Sequence, residues 1–434
     1  MENTAAQAMI RFGLGRRGDE PPPADPQGWL AAQLTGPDPA VLPPTLPTTA
    51  DALILLREQR RLKPPPGASL IEPIFRAEAE AQLGLLMTSP APFRERLVWF
   101  WANHFTVSTR QGGTRAVVGA FIREAIRPHV TGSFADMLLA VMRHPAMLLY
   151  LDNAGSVGPD SPAGRKHDRG LNENLARECL ELHTVGVGSG YSQADVTAFA
   201  QALTGWSIDY AAAEPGFVFK PQAHQPGDQM LLGHRLPEGE AGGVAALDML
   251  ANHPATSRHL ATQLVRHFVS DDPPQHAVDH IALVLQQTRG DLAAASLAVT
   301  RLPGAWTPLA KFRSPLDYVV AVARALDLPP EQLGTHPGML QALGQPLWTA
   351  PLPNGWSDRE SDWVSGGGML ARIDWSYTLA GHAGSGPSAR EPMAIAEASL
   401  GPLLRPETAA AIAHAGDRRD ALTLLFSAPE FQRR

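Results

Sequence analysis

Residues 171–206, LNENLARECLELHTVGVGSGYSQADVTAFAQALTGW, join two helical patterns through a glycine-rich turn. At 100° per residue, Glu173, Asn174, Arg177, Glu178 and Glu181 fall within an arc of about 140°. Leu175, Ala176, Cys179, Leu180 and Leu182 fill the other side, and His183 projects from that apolar side near the helix end. A helix with one polar and one apolar face, followed at once by a second, predicts a helical fold. The same helix carries more ionisable groups than a surface helix of its length needs.

Helical periodicity continues in both directions. Upstream, helices are expected over 50–62 and 69–87, from Pro92 through PFRERLVWFWANHFTVS, and over 114–127 and 133–150, the last interrupted at His144-Pro145. Residues 153–170 are polar and glycine-rich and read as a surface loop long enough to act as a lid. Downstream, FVFKPQAHQPGDQMLLGHRL has apolar runs at 217–219 and 230–232 around a turn-rich middle, which predicts a single β-hairpin. Helices resume at 243–251, 255–270, 275–288, 291–301 and 314–326, with a further one near 369–380. The expected fold is mainly α: a multi-helical globular bundle with one small β-hairpin. It is read as one large domain, 1–434. Lobes 1–206 and 207–434 are the alternative division, and the loop-rich segment 345–434 is expected to pack on the core.

Composition narrows the function. Acids outnumber bases 43 to 36 with no basic run, so there is no electrostatic footprint for nucleic acid. No stretch approaches the roughly 18 apolar residues of a membrane span. The N-terminus shows no export signal, which predicts a cytoplasmic protein, with a periplasmic or envelope location as the alternative. The single cysteine, Cys179, excludes an internal disulfide and lies on an apolar helix face, as an inert buried thiol would. Gly13-Leu-Gly15-Arg-Arg-Gly18 spells a dinucleotide fingerprint but lacks the preceding strand and the following helix.

The candidate chemistry sits on two helices. Glu178 and Glu181, one turn apart, can serve as acid and base or as adjacent metal ligands, with Arg177 holding one carboxylate ionised. Glu173–Arg177 and Arg177–Glu181 are also ordinary i,i+4 ion pairs. His104, on the apolar arc of the helix after Pro92, is the second candidate, with His183. Histidines and carboxylates on facing helices are how bundles hold metals, and a divalent metal held by His104, Glu178, Glu181 and His183 is an open reading. No HExxH, nucleophile elbow or phosphate-binding loop is present. Trp348, Trp356, Trp363 and Trp375 crowd together with Asp358, Glu360 and Asp362, a mixture that suits sugar stacking or, equally, the pinning of an irregular segment to the core. Lys220, His224 and Asp228 form the polar middle of the hairpin.

RFGLGRRGD, RERLVWFWANHFTVS, the central stretch, HPATSRHLATQLVRHFV, KFRSPLDYVVAVARAL and PLPNGW together resemble the bacterial family catalogued as domain of unknown function 1800. The resemblance implies a mostly helical single unit and brings no established activity or catalytic residue. It also implies relatives that often carry export signals and are encoded beside phosphatase- or sulfatase-like proteins. The expected function is a hydrolase or lyase using Glu/His acid–base chemistry on a small polar molecule such as a carbohydrate. Glu178, Glu181, His104 and His183 would be catalytic; Arg177, Asn174 and Trp356 would bind substrate. A non-catalytic helical scaffold for a phosphatase- or sulfatase-like partner is the alternative, and a redox metalloprotein the third reading.

Overall fold

A computed structural model describes residues 2–65, 67–167, 170–330, 337–382 and 390–434. The first half runs through α1 (Glu2–Gln7, prolonged by a π turn Ala8–Phe12), α2 (Pro26–Thr35), α3 (Thr49–Leu62), α4 (Ile71–Thr88) and α5 (Pro92–His104). It continues with α6 (Thr114–Phe121, prolonged by a π turn Ile122–Ile126), α7 (Phe134–Arg143), α8 (Pro145–Tyr150), α9 (Pro162–His167), α10 (Asn174–Glu178, then a π turn Cys179–His183) and α11 (Gln193–Ala202). After four short strands come α12 (Glu240–Ala251), α13 (Pro254–Phe268), α14 (Gln275–Gln287), α15 (Leu292–Thr300) and α16 (Pro315–Leu326). The last are α17 (Pro337–Ala342), α18 (Gly366–His382), α19 (Pro392–Leu400), α20 (Pro406–Ala413) and α21 (Arg418–Ser427). The chain is mainly α.

Proline starts helices here rather than breaking them. Pro26, Pro92, Pro145, Pro254, Pro315, Pro392 and Pro406 occupy first turns, where the missing N–H would have no intrahelical partner. Side-chain caps fix other starts: Thr48 with Asp51 and Ser192 with Asp195 form capping boxes, and Asp291 and Ser314 cap α15 and α16. Buried apolar residues from Phe12 to Phe431 form one connected cluster, so both halves of the chain share it.

The expected single hairpin is two. Strand β1 (Trp206–Asp209) pairs antiparallel with β2 (Gly216–Phe219), and β3 (Gln229–Leu231) with β4 (His234–Leu236). The run 217–219 therefore pairs backward with the residues just after α11, not forward with 230–232. Leu232 and Gly233, both at positive φ (49° and 78°), make the two-residue turn that folds β3 directly onto β4. The loop 153–170 is anchored rather than free: Asn153 donates to the carbonyls of Leu203 and Trp206, and Gly158 N to that of Ala223 at 2.8 Å. Residues 168 and 169 of that loop lie outside the described residues.

Buried arginines brace the segment around Gly13. Arg96 donates through Nε and one terminal nitrogen to the Gly13 carbonyl at 2.8 and 2.7 Å, and Arg324 through Nε to the Gly15 carbonyl at 2.8 Å. The GxGxxG run thus bends the chain so that its carbonyls meet internal guanidinium groups. Among the described residues no helix is long and apolar enough to cross a membrane.

Candidate functional site

The polar face of α10 ties two helices together. Arg177 donates to Glu173 at 2.9 Å and to Gln193 of α11 at 3.0 Å, while Thr197 of α11 donates to Glu173 at 2.7 Å. Glu181 lies 3.6 Å from Arg177, and Asn174 is exposed. Burial and the neighbouring Glu181 push the half-buried Glu178 carboxyl above its ordinary range, against the pull of Arg177.

The following π turn leaves the 100° wheel and carries His183 into the core, where it is 1 % exposed and neither ring nitrogen has a partner. Its ring centre is 5.9 Å from that of His104, whose Nε2 donates to the His183 carbonyl at 3.2 Å. A third ring, His259 on α13, lies 6.1 Å from His104 and donates through Nε2 to the Leu182 carbonyl at 2.9 Å. The structure thus brings His104 and His183 together and adds His259. No hydrogen bond or ion pair among the described residues joins these rings to Glu178 or Glu181. Nor do any three His, Cys, Asp or Glu side chains among them sit where they could share a metal ion.

Burial, then the other rings, push His104 well below its ordinary value and His183 down to about 3; burial also lowers His259. These rings are neutral in the folded protein and ordinary in the unfolded chain, so the unfolded state binds more protons below about pH 6.5. The stability they contribute is complete above that pH and is lost as the pH falls toward 3. Urea unfolding at pH 7 and pH 5 should differ by about 2 kcal/mol per strongly depressed ring. Equal stability at the two pH values would contradict this.

A separate cavity of about 110 Å³ lies beside α5. Arg96, Trp99, Phe100, Asn103 and Thr106 of α5 and the loop after it form one wall, and Ser314, Leu316, Asp317 and Val320 at the start of α16 another. His267 of α13 closes one end, and a segment from Gln345 to Trp363 covers it with Trp348, Trp356, Asp358 and Trp363. Of the residues expected from sequence to form the site, Trp356 alone lines this space.

Inside it, His267 Nδ1 meets Asp358 Oδ1 at 2.7 Å, while the buried Nε2 has no partner. Burial raises the Asp358 carboxyl, but His267, Lys311 and Arg434 more than reverse this, and it stays below the usual carboxylate range. Burial depresses His267, opposed by Asp358 and assisted by Arg434 and Arg96. The pair is therefore an ionised carboxylate beside a neutral imidazole, with the Nδ1 proton donated to Asp358 and a lone pair left on Nε2. Asp317 is also held ionised: burial raises it, but Arg96 at 2.8 Å and Arg434 at 2.9 Å pull it well below the usual range.

The cover is fastened by an amide. Asn103 Oδ1 accepts from Trp356 N at 2.7 Å and Nδ2 donates to the Trp356 carbonyl at 2.8 Å. Gly355, at φ +75°, approaches so closely that a Cβ there would sit 2.5 Å from the Asn103 carbonyl oxygen. Lys311, 1 % exposed, donates to the Asp358 carbonyl at 2.7 Å and pairs with Asp271, whose other oxygen accepts from Glu360 N. Asn103→Ala removes both amide bonds and should destabilise the closed cover by about 1–3 kcal/mol. Hydrogen exchange at the Trp356 amide should accelerate accordingly, and unchanged protection would show that the cover is held by something else.

No curated protein and no solved structure matches this chain. A family model described as a protein of unknown function, DUF1800, matches residues 7–433, nearly the whole length. The chain belongs to the DUF1800 family.

Proposed function

We propose that the protein is an acid–base hydrolase centred on His267 and Asp358, which moves the expected chemistry from α10 to the cavity beside α5. The observation that carries this reading is a cavity-lining histidine oriented by an ionised aspartate, with its second nitrogen buried and without a protein partner. His267 Nε2 would take a proton from water as the water oxygen bonds to a carbonyl carbon of the substrate. The imidazolium, stabilised by Asp358, would return that proton to the leaving oxygen as the carbon–oxygen bond breaks.

Sugar cleavage fits less well. It needs one protonated carboxyl beside one ionised carboxylate, and both Asp317 and Asp358 are held ionised. p-Nitrophenyl acetate is a suitable probe, being a single ring with an ester carbonyl. Its kcat/KM should rise through one ionisation below the ordinary histidine value of about 6.5 and stay flat to alkaline pH. Hydrolysis no faster than in buffer, or a rate that falls as pH rises, would count against the reading.

A second reading, docking to a protein such as a phosphatase- or sulfatase-like partner, draws on another surface. Leu370, Ile373 and Tyr377 are exposed at helical spacing along α18, with Leu424 exposed on the helix α21 packed beside it. In that role a change at His267 would leave partner binding intact.

A further inference from the structure

Two residues that line the cavity each carry a buried ring nitrogen without a protein partner, His267 at Nε2 and Trp348 at Nε1. An unpaired buried polar group costs about 1–3 kcal/mol, so a ligand that paired with either would recover a cost of that size. Trp348 is also held at φ +52°, a left-handed conformation that a bulky side chain rarely adopts and that costs on the order of 1–3 kcal/mol. Its carbonyl accepts from Thr109 N at 2.7 Å, and its ring stacks on Trp99 at 6.3 Å and meets the Phe75 ring edge-on at 5.5 Å. The surroundings therefore fix this indole firmly while leaving its N–H unused.

The other charged groups on the wall are already committed. Arg96 donates to Gly13 and Asp317, and Arg434 pairs with Asp317 and donates to the His267 carbonyl at 3.1 Å. An anionic ligand would thus face two ionised carboxylates with both guanidinium groups occupied. A sugar would bring many hydroxyls to a wall whose Asn103 and Thr106 are bonded to protein. Ser314, Gln345 and Ser357 accept from backbone N–H groups, and the rest of the lining, including Leu14, Leu86, Phe100, Val107, Leu340 and Leu347, is apolar. Leu352 and Val364, exposed at 59 % and 44 %, flank lining residues of the cover in the chain and extend this apolar character outward.

We infer that the cavity takes a neutral, single-ring apolar compound carrying one hydrogen-bond acceptor, which Trp348 Nε1–H binds while His267 Nε2 faces the reacting water or hydroxyl. The inference rests on the hydrolase reading above, of which it names the substrate class. At about 110 Å³ the cavity is smaller than the roughly 150 Å³ apolar space known to hold benzene, so nothing larger than a single ring enters without the walls yielding. The indole N–H would then stand where a carbonyl oxygen gains charge during attack.

Calorimetric titration of the full chain with acetophenone, ethylbenzene, benzoate and methyl β-glucoside tests this. Acetophenone should bind at least about tenfold tighter than ethylbenzene, the worth of one hydrogen bond to a group otherwise left unpaired. Trp348→Phe, which keeps the aromatic wall and removes the N–H, should abolish that advantage. In the unaltered protein, the Trp348 indole proton should shift on acetophenone binding, a readout that does not depend on the variant folding. The inference is overturned if benzoate or the glucoside binds more tightly, if ethylbenzene matches acetophenone, or if none binds. The hydrolase reading fails separately: acetophenone would keep its preference while His267→Gln hydrolysed p-nitrophenyl acetate as fast as the unaltered protein.

Discussion

Replacing His267 by glutamine is expected to lower kcat/KM for p-nitrophenyl acetate by about 10²–10⁴ while leaving the protein folded. Glutamine can still donate a hydrogen bond toward Asp358, so the cavity wall should survive. It has no basic nitrogen, so the proton relay is lost. Asp358→Asn should act through orientation instead, because an amide can donate to Nδ1 and favour the wrong tautomer, leaving the proton on Nε2. Its loss should fall mainly on kcat, with KM little changed, since neither change removes the apolar walls that bind the ring. Glu178→Gln and His104→Ala, drawn from the site read on α10, should by contrast leave turnover near its normal value. Loss of activity in those two, with normal activity in His267→Gln, would return the chemistry to α10.

The largest stability effect is expected from Arg127→Met. Glu95 of α5 is fully buried, and its two oxygens accept from the two terminal nitrogens of Arg127 at 2.9 and 2.7 Å. Burial lowers the Arg127 guanidinium, but Glu95 and Asp38 more than reverse this. Methionine fills similar space and leaves the Glu95 carboxylate without a counter-ion in the core, a change that typically costs 3–5 kcal/mol. The double variant Glu95→Gln/Arg127→Met should recover much of that loss, because no uncompensated charge remains. Denaturant unfolding of the single and double variants measures both. A single variant within about 1 kcal/mol of the parent would mean that water reaches Glu95. The pair matters beyond stability, since α5 carries both Asn103, which fastens the cover, and Arg96, which holds Asp317.

The helices were legible because their signals are local. Apolar spacing, first-turn prolines and Ser/Thr/Asp caps give α3, α5, α13, α15 and α16 to within a few residues. The strands were harder. Trp206–Asp209 is four residues long and separated from α11 by only three residues, and Leu232-Gly233 is not among the dipeptides that announce a tight hairpin. His183 was read on the apolar side of its helix and is buried there, although nothing in CLELH announces the π turn that carries it.

The cavity was the least legible feature, because pairing His267 with Asp358 joins residues 91 positions apart. The tryptophan-rich segment drew notice for its aromatics and acids, yet its partners on α5, α13 and α16 could not be assigned from spacing. One clue lay in plain view. Of the segments that carry the family resemblance, RFGLGRRGD, RERLVWFWANHFTVS, HPATSRHLATQLVRHFV, KFRSPLDYVVAVARAL and PLPNGW contribute residues to this cavity, while the central stretch does not. On α10, the dense charge includes Glu173 and Arg177, which bridge α10 and α11.

Nitrogen-15 spectroscopy of the histidine-labelled protein, with His267→Gln supplying the assignment, addresses the His267–Asp358 pair itself. The account predicts that at pH 7 His267 is neutral and protonated on Nδ1, titrates below about 6.5, and shifts at Nε2 when acetophenone is added. A ring that is protonated at pH 7, or that carries its proton on Nε2 and ignores the ligand, would contradict it.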